Sequence, residues 1–140
     1  AAGYAIEESA ANMHTTSEHL KMLVSTTVEG IKEKIPNIRV NGENSQCLPG
    51  IVNLGFDGVS GEALMNLLDL KGICVSTSSA CASGKDEPSH VLLALGLTAK
   101  QAKSAIRISY GRYNTIDEVK IIVSALCNAC KKIKDARSSI

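Results

Sequence analysis

Tryptophan is absent from this 140-residue chain, and its aromatic residues are only Tyr4, Phe56, Tyr110 and Tyr113. A surface that stacks single-stranded bases needs more exposed rings than that, so this binding class is excluded. Charges nearly cancel, 15 Lys and Arg against 14 Asp and Glu, which leaves no basic stripe for nucleic acid and no DNA among the expected partners. Long apolar runs are missing as well. The segment Val91-Leu-Leu-Ala-Leu95 is typical, far below the roughly 20 residues of a membrane span, so no membrane is expected. The five cysteines are odd in number and show no repeated spacing. That argues against a secreted disulfide framework and for a reduced, cytoplasmic setting. A chain of this length fits one domain, residues 1–140, and buries roughly two thirds of its unfolded surface without cross-links.

What is present alternates between two periods. From Met13 to Ile35 the apolar residues Met13, Leu20, Val24, Val28, Ile31 and Ile35 fall mostly three or four apart, which predicts one long helix ending before Pro36. Its threonine pairs, Thr15-Thr16 and Thr26-Thr27, are poor helix formers, so packing must hold it. Short strands are predicted at Ile38 to Val40, Ile51 to Phe56, Ile73 to Ser76 and Ala105 to Ser109, with turn signals at Asn41-Gly42 and Asp57-Gly58. Ser60 is the expected cap of a helix from Gly61 to about Leu70, stopped by Gly72. Pro88 is expected at the first position of a helix that ends at Gly96. Thr98-x-x-Gln101 and Thr115-x-x-Glu118 are capping boxes, the second opening a final helix with the stripe Ile116, Val119, Val123, Leu126, Cys130 and Ile133. The expected class is α+β: a small mixed or mostly antiparallel sheet of three to four strands, helices on one face, and long first and last helices.

The chemistry concentrates at Ser76-Thr-Ser-Ser-Ala-Cys81-Ala-Ser-Gly84. Small and hydroxylated neighbours give Cys81 nothing bulky to be buried by, the setting of a thiol meant to be reached. Arg107, between the apolar Ile106 and Ile108 of a strand, points away from both and offers a guanidinium fork suited to a carboxylate. The other candidates have plainer readings. Cys127-x-x-Cys130 lies inside a helix and lacks the dipole of a redox pair or the further ligands of a zinc site, so core and flank packing is expected. Cys74 is expected in the core and Cys47 in an exposed loop. His14 and His19, five apart, miss the spacing of a metal pair and read as a solvated face. His90 either lies near Cys81 or caps its helix; Glu62 and Glu87 suit helix N-termini; Arg112 reads as structural or exposed.

Five motifs in order, Pro49-Gly-Ile-Val-Asn53-Leu, Val59-Ser-Gly61-Glu62-Ala-Leu64, Val75-Ser-Thr-Ser-Ser79-Ala80-Cys81, Glu87-Pro88-Ser89-His90-Val91-Leu92 and Ile106-Arg107-Ile108-Ser109, resemble the NifS/IscS-like cysteine desulfurases of aminotransferase class V. Ser78 stands where the family pattern usually has glycine, and Gly50 where asparagine is common. The resemblance implies the carboxy-terminal small domain of a fold-type I pyridoxal-phosphate enzyme that converts L-cysteine to L-alanine. Cys81 would carry the persulfide and Arg107 would bind the substrate carboxylate. It also implies a sulfur acceptor or iron–sulfur scaffold as partner, for cluster assembly or for tRNA or cofactor thiolation, and a homodimer at full length. The Ser-x-His-Lys segment through which the family holds pyridoxal phosphate does not occur here, so the large domain is expected to be absent. No cofactor-binding or metal residue is assigned on this chain, and the chain alone is expected to be inactive. A non-catalytic interaction or regulatory domain is the alternative, and a small thiol or metal protein using Cys127 and Cys130 a weaker one.

Overall fold

A computed structural model describes residues 2–43, 45–77 and 87–138. The Cys81 segment, with Ser78, Ser79, Lys85 and Asp86, lies outside the described residues. Helix α1 spans Ala2–Lys34, strand β1 Ile38–Asn41, β2 Ile51–Phe56, helix α2 Gly61–Asp69 and the two-residue β3 Ser76–Thr77. Helices α3, His90–Ala94, and α4, Ala99–Lys103, precede β4, Ala105–Ser109, and helix α5, Ile116–Ser138. The strands form one open sheet in the order β1-β2-β4-β3 with every neighbouring pair antiparallel, the α+β arrangement expected.

Alternation along the two central strands sorts their side chains into faces. Val52, Leu54 and Phe56 of β2 and Ile106 and Ile108 of β4 are buried, and they join Leu23, Ile31, Leu64, Leu68, Val119, Val123 and Leu126 from α1, α2 and α5 in one core. Each fully buried aliphatic or phenyl group contributes about 1.5–3 kcal/mol. Ala105, on the other face, packs instead with Leu92, Leu97 and Ala102 of the α3–α4 segment in a small second cluster.

Caps set most helix ends where the sequence put them. Ser60 accepts the Ala63 amide at the start of α2, and beyond its end the Ile73 amide returns to the Leu68 carbonyl at 3.0 Å through Gly72, whose φ of 72° suits glycine. Both capping boxes form: Thr98 with Gln101, and Thr115 with Glu118, where the Thr115 amide donates to Glu118 at 2.7 Å. These bonds hold the Glu118 carboxyl below its usual range.

Several expectations are corrected. Met13, expected on the buried stripe of the first helix, is 70% exposed because only the carboxy-terminal half of α1, which starts at Ala2, crosses the core. The third strand is Ser76–Thr77, not Ile73 to Ser76: Ile73 and Val75 turn toward the core while Cys74, alternating with them, is exposed. Pro88 precedes the helix, since Ser89 supplies the cap by accepting the Leu92 amide at 3.5 Å. His19 is half-buried and its Nε2 donates to the Asn114 carbonyl at 2.9 Å, tying α1 to the turn after β4.

Thr27 is a further tie that propensity alone conceals. Its hydroxyl donates to the Leu23 carbonyl at 2.7 Å and accepts from the Tyr110 hydroxyl at 2.7 Å, both groups being buried. Thr27→Val keeps the shape but orphans the phenol, so urea unfolding should show a loss of about 1–3 kcal/mol, and adding Tyr110→Phe should recover most of it.

Gly61 begins α2 against the entry to β4: a Cβ there would lie 2.6 Å from the Ala105 carbonyl oxygen and 3.0 Å from that of Lys103. Both obstacles are backbone. Gly61→Ala should therefore destabilise the protein by about 1–3 kcal/mol although alanine is the better helix former, which thermal unfolding will test.

Candidate active site

The face of the sheet turned away from α1, α2 and α5 carries a polar row that no single strand reveals. Register places Asn41 of β1 opposite Asn53 of β2, Asn53 opposite Arg107 of β4, and Arg107 opposite Ser76 of β3. Opposed residues in antiparallel strands share a face with Cβ atoms about 4.5–5.5 Å apart. The row thus crosses the whole sheet, with Arg107 in its interior and Ser76 one residue before the last described residue of β3.

Arg107 is exposed, and among the described residues no hydrogen bond or ion pair engages its side chain. A guanidinium held on a rigid central strand with its five donors uncommitted can receive a planar anion. Arg39, on the same face and opposite Gly55, is already used. It pairs with Asp57, reaches Ser104 Oγ at 3.4 Å and lies across Gly55, where a Cβ would come within 2.7 Å of its Nη2. Ser76 donates to the Thr77 carbonyl at 3.1 Å, and Asn41 Nδ2 donates to Asn53 Oδ1 at 2.7 Å. The sequence reading singled out Arg107 and left Asn41, Asn53 and Ser76 without a role. Alternation in Ile-Val-Asn53-Leu-Gly-Phe shows that Asn53 turns from the core, but only pairing shows what it turns toward.

The remaining candidates separate by burial. Cys47 is exposed, with its Sγ 3.3 Å from the Gly42 carbonyl. Cys130 is 3% exposed, and burial pushes its thiol up to about 11; Cys127 is half-buried and raised for the same reason. Both are free thiols, and among the described residues no cluster of His, Cys, Asp and Glu could hold a metal ion. His14 and His90 are exposed. Arg112 pairs with Glu8 at 3.0 Å and stacks on Tyr113 at 4.8 Å, the structural role expected of it. Among the described residues no helix is long and apolar enough to cross a membrane.

The domain is thus an antiparallel α+β layer with one face covered by helices and, on the other, an exposed arginine whose side chain has no partner among the described residues. Comparison with known proteins supplies the family of this fold. Residues 2–122 match the family aminotransferase class-V, and the chain belongs to that family. It is 38% identical over 135 residues to a cysteine desulfurase IscS of Clostridium botulinum, covering 95% of this chain and 34% of the relative. To the cysteine desulfurase IscS of Rickettsia massiliae it is 35% identical over 133 residues, covering 95% and 32%. The solved NifS-like protein from Rickettsia africae superposes with a TM-score of 0.73 at 26% identity, covering 85% of this chain and 30% of that one. The chain thus spans about a third of the length of the relatives it matches.

Thiol accessibility gives a direct check on these positions. At pH 8 a small alkylating reagent should modify Cys47 and Cys74 rapidly, Cys127 slowly and Cys130 only on unfolding, as peptide mass spectrometry will read. Because the folded Cys130 thiol lies above its ordinary value of 9.0, unfolding lets it ionise first. Its contribution to stability is complete below about pH 9 and is lost as pH rises toward 11, and urea midpoints across that window should fall.

Proposed function

We propose that this chain is the catalytic-cysteine domain of a pyridoxal-phosphate-dependent cysteine desulfurase, in which Cys81 accepts sulfur from L-cysteine and Arg107 binds the substrate carboxylate. The observation that carries the reading is Arg107, exposed and uncommitted, directly opposite Ser76 on the strand from which the chain runs on to Cys81. Cys81 lies five positions beyond Ser76. Covalent reach therefore keeps the thiol within roughly 18 Å of that strand position. One group grips the substrate's carboxylate and the other takes its sulfur, so both must serve one small molecule.

The chemistry asks a thiolate at Cys81 to attack the substrate sulfur. An S–S bond forms as the C–S bond breaks, the bonding pair goes to carbon, and a proton added there gives alanine. The persulfide left on Cys81 is a reversible state that can pass to an acceptor. Pyridoxal phosphate, when bound, supplies the electron sink for that carbon. Residues of this chain do not fit it alone: the sequence has no Ser-x-His-Lys segment, and no lysine stands on the strands of the open face. The cofactor would be held by residues outside this chain, which by itself would be inactive. A homodimeric full-length enzyme, a cytoplasmic setting, and an iron–sulfur scaffold or other sulfur acceptor as partner complete the reading.

In the full-length enzyme Cys81→Ser should abolish alanine release from cysteine, at least a hundredfold, while the cofactor's visible absorbance stays intact. Arg107→Lys should instead raise KM, since a point charge loses the two-pronged contact. Wild-type turnover in Cys81→Ser, or alkylation mass spectrometry that finds the persulfide on another cysteine, rejects the assignment.

A further inference from the structure

We infer that Asn53 is a second carboxylate-binding residue, acting beside Arg107; the inference rests on the reading of Arg107 given above. A carboxylate carries about four lone-pair sites, and a guanidinium fork fills two of them. The others need donors, and the open face offers few. Ser76 has committed its hydroxyl proton to the Thr77 carbonyl, and Arg39 has turned its guanidinium to Asp57 and Ser104. Among the described residues of the row, Asn53 combines adjacency to Arg107 with a donor group that no partner engages.

Its amide is oriented for that task. Asn41 Nδ2 donates to Asn53 Oδ1 at 2.7 Å, so the acceptor end of the Asn53 amide is engaged on the β1 side. That leaves both Nδ2 protons of Asn53 without a partner among the described residues, on the strand that pairs with β4. Asn53 is half-buried, which limits its rotamers, and the Asn41 bond fixes which end of the amide is free. Asn41 is thus a positioning residue and Asn53 a binding residue. Asn53 and Arg107 then make a donor pair across the two central strands, β2 and β4, with Asn41 behind it on β1.

The test uses the full-length enzyme and two probes, L-alanine and ethylamine, which is the same amine without the carboxylate. Dissociation constants are read from the cofactor's visible spectrum, and KM and kcat for L-cysteine are measured alongside. Asn53→Leu should weaken L-alanine about tenfold and raise KM by a similar factor with kcat retained, as expected for loss of one hydrogen bond to a charged group. Ethylamine affinity should not change. Asn41→Ala should weaken L-alanine by a smaller factor. If Asn53→Leu does not fold, Asn53→Asp, which keeps the acceptor for Asn41, should weaken L-alanine still more and again spare ethylamine. Equal weakening of both probes means a structural role only and overturns the inference. Unchanged L-alanine affinity in the Asn53 variants, with Arg107→Lys still impaired, overturns it while leaving Arg107 in place. Unchanged affinity in all of them removes the reading of Arg107 and this inference with it.

Discussion

Strand β4 positions the polar face of the sheet, because among the described residues it is the one element hydrogen-bonded on both sides by strands from distant parts of the sequence. Its five residues pair with β2 on one edge and β3 on the other. Alternation then drives Ile106 and Ile108 into the core and leaves Arg107 and Ser109 outside. A one-residue slip of register would bury the guanidinium and expose the isoleucines, exchanging a favourable burial for an unpaired charge in an apolar interior. The hydrophobic pattern of β4 is therefore also what aims Arg107.

The helices hold this arrangement from one side only. Helices α1 and α2 each pack on α5, all three join the core on the isoleucine face, and two close contacts fix them against β4: the start of α2 at Gly61 and the Thr27–Tyr110 bond at its far end. The α3–α4 segment covers only Ala105 at the entry to the strand. The middle of the opposite face keeps its polar row of Asn41, Asn53, Arg107 and Ser76. One side of the sheet is thus packed and apolar and the other polar, in a chain that spans about a third of its relatives' length.

Legibility from sequence followed the range of the interactions concerned. Caps at Ser60, Thr98 and Thr115 were readable because a side chain and an amide three residues on make the contact by themselves. The last helix and its buried stripe were readable because period and burial coincide along its length. Cys74 was misread because the edge strand is two residues long and the chain before it faces the core with its neighbours instead. Met13 was misread because a helical stripe says which residues share a face, not how far along the helix a partner extends.

By itself the sequence determined the alternation of elements, most helix termini, the outward turn of Arg107 and the family resemblance, since each depends on residues within a few positions of one another. Only tertiary structure decided that Asn41, Asn53, Arg107 and Ser76 lie in one row, that Thr27 serves Tyr110, and that His19 binds the turn after β4. These contacts join residues up to 95 positions apart. Strand order and register are set by the burial of the whole core, a property of no local segment, and that is why the neighbours of Arg107 could not be read from its own strand.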